Sequence, residues 1–434
     1  MNTRQAIQPT NLPAVLAVSF SCSRNRFIAG LSAGLRCFRI DNCLITYDPV
    51  LPKAGGVAIA VALDDRYLAF VGGGRSPAEK PSVLVYWDAL LGHEVTRFDL
   101  HEPVLGVRAN EKYLIVLLAQ RVVVFQYQEV HPEAPPTPPR DDNDNEPTIT
   151  HDNTVVPNIV KAVYSTAENT KAIAALQGDL LVVPAQTTGQ VQLIPLRGGS
   201  KRVHRAHQSA IRCITISDDG TLLATASEQG TLIRLFDLRS LDCLGEYRRG
   251  SDHAVIFNLA ISPGNRWLAA TSDKGTLHIF DLRPPDPAIL AAAQEKAARE
   301  RQQQHRNPFA PRILSDVRSI VSTPFYLGND PPHWQGGPAY AWTMAPNGTR
   351  KKVHRPVEPI PGNPSGRPPK GVLAFAPKGT KGVSDTDDEG ARLYIVGGGS
   401  EARWELFDLL PTEDGNWALI TRGFRRYLTR QFVD

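Results

Sequence analysis

Short runs of alternating polar and apolar residues fill this chain, as in Gln-Val-Gln-Leu-Ile-Pro at 190–195 and Thr-Leu-His-Ile-Phe-Asp at 276–281. Alternation at every second position puts one set of side chains on each face of an extended segment, so the pattern predicts half-buried strands. Other runs, such as Val-Leu-Val-Tyr-Trp at 83–87, are apolar throughout and fit strands buried on both faces. The pattern is also copied. Cys213 to Arg239, CITISDDGTLLATASEQGTLIRLFDLR, returns as Asn258 to Arg283, NLAISPGNRWLAATSDKGTLHIFDLR. Ser217 and Ser262, Ala224 and Ala269, Ser227 and Ser272, and Thr231 and Thr276 are each 45 residues apart, while Phe236 and Phe280 are 44 apart. Each copy reads as strand, turn, strand, turn, strand, with turns at Asp218-Asp219-Gly220 or Pro263-Gly264-Asn265 and around Gly230 or Gly275.

A period near 45 residues with three or four short strands is the signature of a propeller blade. Weaker copies occur at Ala14 to Ile40, Val57 to Leu100, Val104 to Tyr127, Lys171 to Leu196 and Gly371 to Leu409, which brings the count to seven. Trp87-Asp88, Phe236-Asp237, Phe280-Asp281 and Phe407-Asp408 close the third strand, where such repeats often carry Trp-Asp. The expected fold is therefore all-β: one seven-bladed β-propeller spanning 1–434, with blades at about 14–48, 57–100, 104–165, 171–200, 209–247, 254–345 and 371–420. An acidic, Pro-rich loop is expected at 131–158 and a basic Pro/Gly-rich linker at 346–370.

Composition narrows the chemistry. The 434 residues would ordinarily make two or three domains, but a closed propeller grows by repetition and can use most of such a length as one unit. No apolar run is long enough to span a bilayer, and Met1 to Pro13 lacks the charged start and apolar stretch of a secretion signal, so a cytoplasmic protein is expected. Cys22, Cys37, Cys43, Cys213 and Cys243 are odd in number and lack C-x-x-C spacing, which predicts reduced packing residues with no zinc site. A net charge of +4, with aromatics in strands and not interleaved with Lys and Arg, argues against nucleic acid. Gly72-Gly73-Gly74 and Gly397-Gly398-Gly399 lack the Gly-Lys-Ser/Thr and helix of a phosphate loop. Asp141-Asp142-Asn143-Asp144-Asn145-Glu146 lacks the sixth-position Gly of a calcium loop. No enzyme, cofactor or metal is expected.

The run Glu-Tyr-Arg-Arg-Gly-Ser joins the two near-identical copies and carries the candidate chemistry. On an extended segment, Arg248 and Arg249 point to opposite sides, one into each neighbouring inter-blade space. Arg suits an anion site because its planar fork binds phosphate bidentately and keeps its charge. The competing reading is a surface pair bridging carboxylates. Repeat-related hydroxyls, Ser227 with Ser272 and Thr231 with Thr276, flank the pair, although blades also use such hydroxyls to tie strands together.

The seven repeats, Tyr-Arg-Arg-Gly in the place of Phe- or Leu-Arg-Arg-Gly, and the flanking AHQSAIRC, ATASEQGTLIR and TSDKGTLHIF resemble the PROPPINs, phosphoinositide-binding propellers that include the animal WIPI proteins. RYLAFVGGGRSP followed by VLVYWD is similar to the second blade of that family's shorter branch, which includes the fungal homologous-with-swollen-vacuole proteins. The resemblance implies binding of phosphatidylinositol 3-phosphate and phosphatidylinositol 3,5-bisphosphate at vacuolar, endosomal and vesicle membranes. It implies a peripheral scaffold in autophagy or trafficking, with protein partners from those pathways. By position it implies a first site of His207, Ser227, Thr231 and Arg248, and a second of Arg249, Ser272 and Thr276 with Ser251 or His253. His207 departs from the repeat, since the position 45 residues on is Asp252 and only the adjacent His253 restores the symmetry. The alternative is a lipid-independent protein-interaction propeller with a structural Arg pair.

After Arg283 the sixth blade's fourth strand is expected only at Ala339 to Ala345, leaving an insertion at 284–338. Within it Phe309, Ile313, Leu314, Val317, Ile320 and Val321 have helix-like spacing beside Arg312 and Arg318, with Phe325 just beyond. The resemblance places the family's membrane-inserting loop here; the competing reading is a cap on the propeller edge or a disordered stretch. Ala288 to Gln304 reads as a solvated helix or spacer.

Overall fold

The computed structural model describes residues 13–130, 154–283, 317–328, 340–344, 348–354, 367–380 and 389–428. Seven antiparallel blades form a propeller, and no helix occurs among the described residues. The innermost strands, in blade order, are Val15–Phe20, Val57–Ala62, Gly106–Ala109, Ala175–Gln177, Ile211–Ile216, Ile256–Ile261 and Val372–Phe375. The two strongest sequence copies are blades 5 and 6.

Blade faces stack on one another, and that explains why so many strands are apolar on both sides. Tyr67, Tyr86 and Phe125 share one cluster between blades 2 and 3, and Tyr247, Ile256 and Phe280 share another between blades 5 and 6. Fully burying a side chain the size of Phe280 stabilises the fold by about 1.5–3 kcal/mol. The recurrent Asp at the end of the third strand organises the turn that follows it. Asp88 accepts the Leu90 and Leu91 N–H groups at 2.8 and 3.0 Å, and Asp237 accepts those of Arg239 and Ser240 at 2.9 and 2.7 Å. The five cysteines are unpaired, with Cys37 and Cys43 buried.

Blade 6 departs from its expected outline. Its fourth strand is Val321–Pro324, paired antiparallel with Thr276–Asp281, and not the segment Ala339 to Ala345. Tyr340–Met344 instead forms a separate hairpin with Arg350–His354. The helix-like spacing before it also fails where the chain is described. Val317–Arg318 is extended and runs parallel to Tyr247–Arg248, as a fifth strand on blade 5. Two residues later the chain crosses to blade 6, where the Ile320 N–H donates to the Ile279 carbonyl at 2.9 Å.

Candidate functional site

The outer strand of blade 5, Cys243–Arg248, ends with Arg248 opposite Leu232, and the Arg249 N–H continues the ladder by donating to the Thr231 carbonyl at 3.0 Å. Both arginines are thus held on extended backbone. Tyr247 is buried against blade 6, with its ring edge-on to Phe280 at 5.6 Å. Alternation therefore sets Arg249 on the same face of the strand as Tyr247, toward blade 6, and Arg248 on the opposite face.

Arg249 is partly committed. Its Nε donates to the Gly230 carbonyl at 2.9 Å and its Nη2 to the Asp252 carbonyl. Burial pulls this guanidinium below its ordinary range, while Asp273 and Asp252 act in the opposite direction. Of the five N–H donors, these two bonds use two. Gly230 is required here, because its φ is +62° and a Cβ would lie 1.8 Å from the Ala254 carbonyl oxygen.

Ser227 and Ser272 occupy matching places, opposite Ile211 and Ile256, and their carbonyls accept the Gly230 and Gly275 N–H groups, each at 3.0 Å. Both are buried, and the Ser272 Oγ has no hydrogen-bond partner among the described residues. Thr231 and Thr276 are not equivalent. Ala226 pairs with Ile233 whereas its repeat partner Thr271 pairs with Leu277, so blade 5 carries one more residue in this turn. Thr276 opens the third strand, while Thr231 still lies in the turn. The 44-residue spacing of Phe236 and Phe280 was the sequence trace of that extra residue.

His207 is 5 % exposed, with Nε2 2.9 Å from the Thr225 hydroxyl. Burial, reinforced by the Arg234 charge, pulls it down to about 4, so it is neutral near pH 7. A neutral imidazole can still donate one hydrogen bond, but it adds no charge. Ser251 and His253 are exposed, and the Ser251 hydroxyl donates to the Asp252 carboxylate at 3.3 Å.

Sequence reasoning missed two side chains here. Thr225 holds His207. His278 lies 3.1 Å from the Thr276 hydroxyl through Nε2 and 3.2 Å from the Ser319 hydroxyl through Nδ1, and burial and the Arg249 charge lower it to about 4. The legible signal was a polar residue 44 positions after Arg234 in the matching strand.

The candidate insertion residues divide. Phe309, Ile313 and Leu314 lie outside the described residues. Val317 and Ile320 are exposed, 43 % and 39 %, on the extended strap beside Arg248. Val321 is paired with Ile279 in the blade 6 sheet, and Phe325 is buried with Trp267, Leu277 and Phe375. These two are therefore blade residues, because the ladder and the core already hold them.

Among the described residues, no group of three or more His, Cys, Asp or Glu side chains could hold a metal ion. A family model described as PROPPIN matches residues 172–289, the stretch that contains Arg248, Arg249 and the candidate site residues from His207 to Thr276. The chain is 34 % identical over 367 residues to SVP1-like protein 2 of Emericella nidulans, covering 83 % of this chain and 97 % of that protein. It is 31 % identical to Autophagy-related protein 18e of Arabidopsis thaliana, over 63 % of this chain and 68 % of that one. The solved structure of Kluyveromyces lactis Hsv2 with complete loop 6CD superposes with a TM-score of 0.61 at 18 % identity, over 95 % of this chain and 99 % of that one.

Proposed function

The chain belongs to the PROPPIN family, and from that premise we propose that it is a peripheral membrane scaffold that binds phosphatidylinositol 3-phosphate and phosphatidylinositol 3,5-bisphosphate through two sites, one on each side of the Arg248–Arg249 junction. The observation that carries this reading is the adjacent placement of the two arginines at the end of a single extended strand, where alternation sets them on opposite faces. The blade 4–5 site comprises Arg248 with Ser227, Thr231 and His207. The blade 5–6 site comprises Arg249 with Thr276, Ser272, Ser251 and His253. Charge-assisted bonds from a guanidinium to phosphate contribute roughly 1.5–3 kcal/mol each, so one head group alone holds weakly. Two sites on one rigid body multiply that affinity at a membrane. The Arabidopsis relative's name supports a role in autophagy, and vacuolar, endosomal and vesicle membranes are the proposed places of action. The sequence of the insertion that follows Arg283 would add an apolar foothold on the membrane.

Co-sedimentation with liposomes containing phosphatidylinositol 3-phosphate tests this. Changing Arg248 and Arg249 together to Thr abolishes sedimentation while the thermal unfolding midpoint stays that of a folded propeller. Unchanged sedimentation overturns the assignment. One observation favours the second reading, a lipid-independent interaction propeller: Arg249 already makes two bonds to main-chain carbonyls. Under that reading the double change leaves liposome binding as it was.

A further inference from the structure

The inner strands surround a channel cavity of about 670 Å³ whose two mouths differ in charge. At the mouth formed by the turns that end the inner strands, charges are matched. Arg24 on blade 1 pairs with Asp218 on blade 5, and Lys112 pairs with Asp179 at 3.3 Å. At the opposite mouth, where the inner strands begin, cations outnumber their partners. Lys171 pairs with Glu228. The Arg212 guanidinium makes no hydrogen bond or ion pair among the described residues. Deeper in, Arg108 bridges blades 3 and 4 through backbone carbonyls alone, with Nε to Ala174 at 3.1 Å, Nη2 to Ala172 at 3.0 Å and Nη1 to Val107 at 2.9 Å. It has no carboxylate partner among the described residues, and burial lowers its affinity for its proton.

Arg212 owes its place to an irregularity that recurs around the ring. In blades 1, 2, 5 and 6 the inner strand carries one extra residue near its start, at Leu16, Ala58, Arg212 and Phe257. Such a bulge re-aims the side chain it carries. Three of the four occupants are apolar and only Arg212 is charged. Arg367, on the approach to blade 7, is held below its ordinary range by burial and by the Arg212 charge, so the two guanidiniums repel each other. A cavity lined by Arg108 and Arg212 has the electrostatics of an anion site and enough room for a polyphosphorylated small molecule.

We propose that the basic mouth of the channel binds a soluble phosphate-bearing anion, with Arg212 as its ligand and the buried charge of Arg108 behind it. This site is separate from the rim sites at Arg248 and Arg249, and it is open to solutes that no membrane presents. The test is calorimetric titration of the full chain with inorganic phosphate and with inositol hexakisphosphate, in the absence of lipid. Arg212→Gln weakens binding of the hexakisphosphate at least tenfold and leaves liposome sedimentation unchanged. Arg248→Thr/Arg249→Thr does the reverse, which separates this site from the proposed lipid sites. Arg212→Lys keeps the charge without the fork and gives an intermediate affinity, which excludes loss through misfolding. The proposal is overturned if Arg212→Gln binds the hexakisphosphate as the unmodified chain does, or if the Arg248/Arg249 variant loses all soluble-anion binding.

Discussion

Blades 5 and 6 begin from one repeated sequence and end differently. In blade 5 the fourth strand follows directly and finishes in Arg248-Arg249, whose main chain closes on Leu232 and Thr231. In blade 6 the chain departs after Arg283 and returns at Val321–Pro324, and it is Phe325 whose N–H closes on Gly275, at 2.9 Å. The same ladder position thus holds an arginine, the proposed anion ligand, in one blade and an apolar plug in the next. The propeller supplies a repeated socket, and the residue that follows the fourth strand decides what the socket does.

The strongest way to break this comparison is to remove the plug. Phe325→Ala deletes a ring packed against Trp267 and Phe375 and is expected to cost about 3–5 kcal/mol in chemical denaturation. If stability holds and only liposome binding drops, Phe325 belongs to the membrane segment and the contrast between the blades disappears. Next come the single arginine changes. Arg248→Thr and Arg249→Thr should each leave weaker, monovalent liposome binding, with a loss of roughly 1.5–3 kcal/mol per bond removed. Arg249→Thr should in addition lower stability, because it strands the Gly230 and Asp252 carbonyls. Should either single change equal the double, the two sites are not separable.

A third test uses pH. Unfolded, His207 takes up its proton below about 6.5, whereas folded it does so only near 4, so the unfolded chain binds more protons between these values. Stability is fully present above that window and is lost as pH falls through it, by an amount on the order of 2 kcal/mol at pH 5 for His207. His278 on the blade 6 side shifts in the same direction, with a smaller effect because more solvent reaches it. Denaturation midpoints at pH 7 and 5 should converge in His207→Gln; an undiminished pH dependence would remove His207 from the buried pair with Thr225. The smallest effect is expected on the strap and its approach. Changing Ile313, Val317 and Ile320 to Asp should weaken liposome binding, by about 1 kcal/mol or less per residue, and spare a short-chain soluble phosphoinositide. Equal losses in both assays would make the segment part of the pocket or the fold.

The propeller and its arginine junction were legible because both rest on spacing: period two for strands, a period near 45 for blades and adjacency for the arginines. The fourth strand of blade 6 was not. Val-Ser-Thr-Pro is short and weakly apolar, and Tyr-Ala-Trp-Thr-Met is the better strand by composition, yet it pairs locally with Arg350–His354. Which residues complete a blade is decided by who occupies the open edge of the third strand, a tertiary fact with no local signature. The helix-like spacing around Val317 to Val321 misled for a related reason, since two short strands joined by a bend mimic that period. The state of His207 was hidden too, because burial and the Arg234 charge come from other elements.

How the ring closes has its own consequence. Blades 1 and 7 are each completed by their own four strands, so among the described residues no strand is shared across the junction. It is fastened by two backbone bonds between Val15 and Gly399, both 3.0 Å, and by Tyr427, which packs edge-on to Phe27 and Phe38 while its hydroxyl donates to the Gly397 carbonyl at 2.8 Å. Mechanically this is a clasp and not a weld: pulling on the two ends of the propeller loads the apolar cluster shared by blades 1 and 7, with Tyr427 in it, directly. The ring would part there and relax as an open arc of intact blades before any single blade lost its strands.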